Sequence, residues 1–455
     1  MKRIAFISEH ASPLALLGGI DSGGQNVYVA ELAKVLAASG YCIDIYTRKE
    51  SPGQPEIVEW LPGIRVIHIQ AGPEEIVEKE GLLVHMDEFA RHMLEFIRRQ
   101  SVGYDLVHAH FFMSALVASS LKRILNIPYV VTFHALGLVR TRHQREADRF
   151  PPERCAIEGR IVRDADRLIA ECPQDKEDLI SLYHADPAKI AVIPCGFNPL
   201  EFQPFDRVEA RRRLGIPQDA RILLQLGRMV PRKGVDTVIR ALGYIRRQAG
   251  KQKERLRLII VGGNTESPDV RQTPEIGRLQ TLAAEEHVAD WVHFTGRRCR
   301  EALRYYYSAA DIFITTPWYE PFGIPPLEAM ACGLPVIGSD TGGIKYSVVN
   351  GRTGFLVPPK DPSALAERIG QLLGDAALAI RMGASGLRRV HRHFTWEKVG
   401  RQMDDAYTAL LTTLRHERLS EHHSVNMARR LIPASPAGGM LMAQPSFPLF
   451  NPPGL

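Results

Sequence analysis

The stretch Asp311-Ile-Phe-Ile-Thr-Thr-Pro-Trp-Tyr-Glu-Pro-Phe-Gly-Ile-Pro-Pro-Leu-Glu-Ala-Met-Ala-Cys-Gly-Leu-Pro-Val-Ile-Gly338 reads as strand, turn, helix and strand again. Its first six residues form a short, apolar, β-branched run of the kind that makes a buried parallel strand. Pro and Gly then punctuate a turn. Pro325 and Pro326 suit the opening positions of a helix, Leu327 to Cys332 are mostly good helix formers, and Gly333 with Pro335 ends it. The first amides of that helix face the crevice beyond the strand's carboxyl end, where open α/β sheets bind ligands and a helix N-terminus favours an anion such as a nucleotide diphosphate. Glu320 and Glu328 flank the turn. An ionised carboxylate accepts two hydroxyl donors, so the pair suits a sugar grip. The same spacing equally describes a first-turn charge that complements the helix dipole, next to a solvated loop charge.

Working outward, the same alternation fills the chain. Lys2–Ser8, Tyr41–Thr47, Ile64–Gln70, Leu106–His108, Tyr129–Phe133, Arg167–Ala170 and Ala191–Ile193 have strand character. Helical spacing occupies Val27–Ala38 and about 85–100, 113–125, 154–164 and 173–183. Strands separated by helices predict an α/β architecture of parallel, doubly wound sheets. Cys195-Gly-Phe-Asn-Pro-Leu-Glu-Phe-Gln-Pro204 breaks the rhythm, and Arg221-Ile-Leu-Leu-Gln-Leu226 restarts it. Strands are then expected at Leu256–Val261, Val292–Thr295, Ile312–Thr315, Pro335–Ser339 and Gly354–Val357. The reading is two Rossmann-like domains, 1–200 and 201–394, with a last helix over about 395–414. Residues 425–455 are Pro-, Ser-, Met- and Gly-rich and are predicted to be a disordered tail.

Composition bounds the function. A chain of 455 residues, 45% hydrophobic, has material for two cores. The net charge of +6 favours anionic ligands or a membrane surface, but the arginines are dispersed rather than gathered in a single tract, so small anionic ligands are the simpler partner and no nucleic acid is expected. Six cysteines are scattered with no C-x-x-C pair, and Met1-Lys-Arg runs straight into a strand-like Ile4-Ala-Phe-Ile7. This predicts a cytoplasmic protein with no signal peptide, disulfide framework or zinc site. No run of eighteen apolar residues is present to span a bilayer.

Several candidate sites follow strands. Gly18, Gly19, Gly23 and Gly24 crowd a loop that lets backbone approach a phosphate or sugar, or that simply makes a tight turn. His134 ends a strand, where a lone histidine is commonly structural. His108 and His110 are one strand repeat apart but have no third ligand for a metal, and Asp164-Ala-Asp166 is read as solvated charge or a helix cap. Arg228 and Lys233 follow the first strand of the second domain, where two long cations face the cleft or merely decorate a charged turn.

Four of these segments, in this order, resemble motifs of family GT4, the retaining nucleotide-sugar glycosyltransferases of GT-B fold. That family includes sucrose-phosphate synthases and the inositol-phosphate N-acetylglucosaminyltransferase of mycothiol synthesis. They are Gly18-Gly-Ile-Asp-Ser-Gly-Gly-Gln-Asn-Val-Tyr-Val29, Thr132-Phe-His134, Gly227-Arg-Met-Val-Pro-Arg-Lys-Gly234 and the E-x7-E pair Glu320/Glu328. The resemblance implies two lobes facing across a cleft, with the final helix crossing back onto the first. It also implies transfer of a hexosyl group from a UDP-linked donor such as UDP-glucose to a small, phosphorylated sugar or polyol, with no metal or other cofactor.

By carry-over, His134 meets the transferred sugar, Arg228 and Lys233 the diphosphate, Glu328 the ribose and Glu320 a sugar hydroxyl. The amides of Phe322, Gly323 and Ile324 hold that sugar, and Gly23 lies by the donor phosphates. Gly23 and Gln25 belong to the acceptor loop. Ala71-Gly-Pro-Glu-Glu-Ile-Val-Glu-Lys79 and Pro151-Pro-Glu-Arg154 resemble the segments that supply an acceptor-phosphate lysine and arginine, which would be Lys79 and Arg154. Phe111 and Ala135 depart from the inositol-phosphate enzyme, which has tyrosine and threonine there, so the acceptor is left open. Two other readings stand beside this one: a GT4 enzyme of lipid-linked or surface polysaccharide synthesis in peripheral contact with a membrane, and a nucleotide-sugar-binding protein without catalysis.

Overall fold

Short apolar runs between Gly- and Pro-rich loops build two sheets. The computed structural model describes residues 2–15, 23–101, 103–144, 148–248 and 255–431, so Gly18 and Gly19 lie outside the described residues. The first sheet comprises β1 (Arg3–Ile7), β2 (Cys42–Arg48), β3 (Ile57–Leu61), β4 (Ile64–Ile69), β5 (Leu106–His110), β6 (Tyr129–Thr132), β7 (Arg167–Ala170) and β8 (Ile190–Val192). It is eight-stranded, in the order β3-β4-β2-β1-β5-β6-β7-β8. Every pairing is parallel except β3 with β4, which is antiparallel at the sheet's edge. The second sheet is six-stranded and wholly parallel. It contains β9 (Arg221–Leu226), β10 (Leu256–Val261), β11 (Val292–Gly296), β12 (Ile312–Thr315), β13 (Val336–Ser339) and β14 (Gly354–Val357), ordered β11-β10-β9-β12-β13-β14. These are the two doubly wound α/β halves expected of a GT-B chain.

In the first half of the chain the sequence reading missed one strand and one α-helix. β3 alternates weakly and stays half-exposed on its edge, so it carries little apolar signal. The helix Gly137–Gln144 reads Gly-Leu-Val-Arg-Thr-Arg-His-Gln, with too few apolar residues to show a period. The final helix begins at Trp396 and does not stop near Leu414 but continues to Leu431, through the first residues of the segment read as a disordered tail. Residues 432–455 lie outside the described ones. Among the described residues, those up to Thr408 group as one compact unit and those from Ala409 onward as another.

Within the first unit the opening turns of that last helix dock on the first sheet. Trp396 meets Tyr28 edge-to-face at 5.5 Å, and an added Cβ on Gly400 would stand 2.6 Å from Val35 Cγ2. β5 is buried at every position although it carries two histidines. His108 Nδ1 is hydrogen-bonded to the Tyr407 hydroxyl, and its Nε2 to Thr132 Oγ1 at 2.9 Å. Burial first, and the neighbouring His134 second, press the His108 pKa well below its ordinary value, so the ring is a neutral strut between helix and sheet. Tyr407→Phe leaves a buried ring nitrogen unpaired and is expected to cost about 1–3 kcal/mol in urea unfolding, with the denaturant slope unchanged. A loss below about 0.3 kcal/mol would show that the strut carries no load.

Candidate active site

Parallel strands deliver their loops to one end, and here the carboxyl ends of both sheets line a cleft of about 290 Å³. From the first sheet come Gly23, Gly24 and Gln25 after β1, Lys79 after β4, Phe111 after β5, His134 and Arg140 after β6, and Glu171 after β7. The second contributes Arg228, Arg232 and Lys233 after β9, Arg297, Arg298 and Arg300 after β11, and the Tyr319–Pro325 turn with Glu328 after β12.

Glycine is required where the second lobe's loops cross. Gly234 has φ +68, and a Cβ there would lie 1.9 Å from Thr316 O; Gly342, at φ +47, would put one 1.8 Å from Glu320 O. These approaches fix Lys233 beside Glu320. Glu320 ion-pairs with Lys233 and lies 3.7 Å from Arg232. Burial opposes ionisation of Glu320, but Lys233 and then Arg232 outweigh it and hold the carboxyl below its ordinary range. Burial lowers Lys233 to about 8 despite that partner, and lowers Arg228 to about 10 with help from Arg232. Gly23 comes from the opposite lobe to this cluster: an ideal Cβ on it would be 3.6 Å from Arg228 Nε.

Glu328 is the fifth residue of helix Ile324–Ala331, past its first turn, so it is not the first-turn charge that the spacing allowed; the opening amides of the helix have no partner within it. Its carboxylate accepts from Arg300 Nη1 at 3.0 Å and from the Tyr307 hydroxyl at 2.9 Å. Burial nonetheless raises its pKa, the Arg300 charge opposing. Phe322, Gly323 and Ile324 line the cleft at this helix start, with Gly323 at φ +92.

Two residues at the carboxyl ends of the first sheet carry positive φ without being glycine: Phe111 at +88 and His134 at +56. Such backbone costs on the order of 1–3 kcal/mol each and gathers at functional sites. The His134 ring borders the cleft, but both its nitrogens are engaged, Nδ1 with Glu171 at 3.0 Å and Nε2 with His110 at 3.2 Å. This corrects the expectation of an imidazole turned to a sugar hydroxyl. Gln25 Nε2 donates to His110 O at 3.2 Å and to Ser8 Oγ at 3.3 Å, which ties the loop after β1 to the end of β5.

Arg154 is the second correction. It does not line the cleft. It is 2% exposed, paired with Glu158 at 2.8 Å, hydrogen-bonded to Ala135 O, and boxed by Phe111, Phe112 and Phe150 with ring centroids 4.4–4.9 Å from its guanidinium. Phe111 stands between this arginine and the open cleft. The cation beside Lys79 is instead Arg140, held by Asp148 at 2.9 Å and stacked over Phe150 at 4.8 Å. Lys79 itself is lowered to about 7, by burial first and then by Arg228, with Arg140 and Arg232 adding to the repulsion.

The sequence reading also passed over Arg297, Arg298 and Arg300. They follow a strand's carboxyl end just as Arg228 does, so the same rule finds them. Among the described residues no group of His, Cys, Asp and Glu can hold a metal ion. Asp164 instead accepts from Ser119 and Tyr129, and Asp166 from Lys122 and the Tyr129 amide, which makes them ties between helix and strand rather than solvated charge.

Comparison with known proteins finds the same two-lobed fold. The family model "Glycosyltransferase Family 4" matches residues 22–200, and "Glycosyl transferases group 1" matches 206–389. The chain is 36% identical to a D-inositol 3-phosphate glycosyltransferase of Streptomyces scabiei over 425 residues, covering 93% of this chain and 94% of the relative. It is 36% identical to the enzyme of that name from Corynebacterium jeikeium, covering 90% and 97%. A solved sucrose-phosphate synthase from Thermosynechococcus elongatus superposes with a TM-score of 0.83 at 35% identity, covering 91% of this chain and all of that one. Anabaena HepE, solved with UDP and glucose, shares the fold at a TM-score of 0.71 and 19% identity, covering 90% of this chain and all of that one.

A lysine poised near 7 predicts a measurable proton. An anion bound beside Lys79 raises its pKa, so binding takes up a proton between about pH 7 and the bound pKa, and takes up none well below 7. Sulfate, which does not titrate in this range, serves as the probe. Titration calorimetry at pH 8 in two buffers of different ionisation heat should show proton uptake in the wild-type protein and clearly less in Lys79→Met, where Lys233, at about 8, still contributes its own share. Equal uptake in both would remove Lys79 from the anion's surroundings.

Proposed function

The chain belongs to glycosyltransferase family 4, and from that premise we propose that it moves a hexosyl group, with retention, from a UDP-linked sugar to a small phosphorylated sugar or polyol. One observation carries the acceptor half of this reading. Lys79 and Arg140, from the first lobe, enter the same cleft as the second lobe's Arg228, Arg232 and Lys233. A donor diphosphate alone engages the second group, and the first then calls for an anion on the acceptor side. The names of the similar D-inositol 3-phosphate glycosyltransferases and sucrose-phosphate synthase contain a phosphate of that kind.

In this reading Arg228 and Lys233 neutralise the diphosphate, whose charge grows as the glycosyl bond breaks, so they stabilise the transition state more than the bound donor. Glu328 receives the ribose hydroxyls, Glu320 a hydroxyl of the transferred sugar, and the Phe322, Gly323 and Ile324 amides its remaining oxygens. Gly23 admits the phosphates close to the backbone and Gln25 borders the acceptor. The incoming hydroxyl attacks from the face the diphosphate leaves, and its proton passes to a departing phosphate oxygen. The anomeric carbon gains positive charge meanwhile, and the Glu171–His134 pair on the cleft wall places negative charge toward it. Cationic side chains take the place of a divalent ion, so turnover is metal-independent. A cytoplasmic setting accords with six unpaired cysteines.

The decisive test screens UDP-, GDP- and ADP-sugars against hexose phosphates, inositol phosphate and their dephosphorylated forms, reading released nucleotide and product. A phosphorylated acceptor should win by about ten- to a hundredfold in kcat/KM, the worth of a charge-assisted contact or two. Equal use of both forms would sink the acceptor-phosphate assignment. Arg140→Ala should raise the acceptor KM by a similar factor with little change in donor KM. Activity should survive EDTA; complete loss restored by magnesium would overturn the role given to Arg228 and Lys233.

A further inference from the structure

Tyr319 precedes Glu320 yet faces the other lobe. Its side chain is 5% exposed and is gripped by the last turn of helix Gly137–Gln144. The His143 ring stacks on it at 5.0 Å and 20°, and Gln144 Nε2 donates to its hydroxyl. Arg232 lies over the ring at 5.4 Å, so the phenol joins two residues of the first lobe to a cation of the second that neighbours Glu320. The backbone on either side is pinned within the second lobe, Trp318 N donating to Arg232 O at 2.9 Å and Gly343 N to Glu320 O at 3.2 Å. Two further ties cross beside it: Cys172 Sγ to Pro321 O at 3.4 Å and Lys345 Nζ to Gln174 Oε1 at 2.8 Å. The Tyr319–Pro321 segment thus forms the wall between the main cleft and a second, polar cavity of about 250 Å³.

We propose that Tyr319 is a positioning residue through which His143 and Gln144 of the first lobe set the Glu320 carboxylate of the second. Helix Gly137–Gln144 bears Arg140 toward the cleft one turn before His143, so a single short helix joins the acceptor side to the carboxylate at the transferred sugar. Neither His143 nor Gln144 lines the main cleft. The proposal rests on the reading of Glu320 as the sugar-side carboxylate, but the contact itself is open to a measurement that needs no substrate.

That measurement is amide hydrogen exchange of the full chain. Tyr319→Ala should speed exchange in residues 137–144, across the lobe gap, by about tenfold, while Tyr319→Phe, which keeps the stacked ring, should leave it within about threefold of wild type. Unchanged exchange there in Tyr319→Ala overturns the proposal. In turnover, the double variant His143→Ala/Gln144→Ala should lower kcat about tenfold through misplacement of Glu320, with the dissociation constant for UDP held within about twofold. His143→Phe, which restores the stack, should recover most of that loss. A double variant with wild-type kcat also overturns the proposal. A wild-type chain that turns over no sugar donor would count against the functional reading alone, and the exchange result would still decide the contact.

Discussion

The cleft concentrates positive charge that the protein does not balance by itself. Glu320 is the carboxylate that Lys233 and Arg232 share, and Arg228, Lys79 and Arg140 add to the same field. Two like charges about 4 Å apart repel by roughly 4 kcal/mol at the effective dielectric of a protein surface. The depressed values of Lys79, Lys233 and Arg228 register that repulsion together with burial. A polyanion entering the cleft relieves it, so the fold stores part of its binding energy as crowding among cations. Everything that holds them close serves this end, above all the side-chain-less positions 234 and 342, where a methyl group would push Thr316 or Glu320 away.

The first lobe adds strained backbone to the two cations it supplies. Phe111 and His134 follow neighbouring parallel strands, and both hold φ values that only their surroundings can enforce. For His134 those surroundings are Glu171, His110 and Tyr28, the last packed edge-to-face at 4.9 Å. His110 is neutral, kept so by burial first and by His108 next, and can therefore donate through Nδ1 to His134 without bringing a second positive charge to the cleft. The imidazole is fixed in orientation and backed by a carboxylate, which suits a wall that must not move as charge develops in front of it.

Much of this was legible in the chain because it rests on local rules. Strands such as Arg221–Leu226 and Ile312–Thr315 are apolar runs bounded by glycine or proline, and their bounds are those of the structure. The donor-side residues follow strand ends in an order that only a two-lobed cleft brings together. What was illegible depends on packing that brings near and distant partners together around one side chain. Arg154 and Arg140 are both arginines in polar helices of the first lobe, and nothing local says which faces ligand. That is decided by Glu158 and the three rings of Phe111, Phe112 and Phe150, which take Arg154 inward.

This exchange of arginines bears on what the enzyme accepts. A guanidinium buried as deeply as Arg154 must keep its carboxylate, because breaking such a pair costs several kcal/mol, so a ligand cannot draw it out without dismantling the box. Arg140 is also paired, but at the cleft's edge, where its partner Asp148 is partly exposed and the guanidinium keeps donors to spare. An acceptor phosphate met by Lys79 and Arg140 sits along a different helix from one met by Lys79 and Arg154. The rest of the acceptor must tilt with it, past a phenyl ring at 111 that offers shape and no hydrogen bond. Thirty-six per cent identity to D-inositol 3-phosphate glycosyltransferases is therefore compatible with a different acceptor, because a few side chains can change what a site accepts while the fold stays the same.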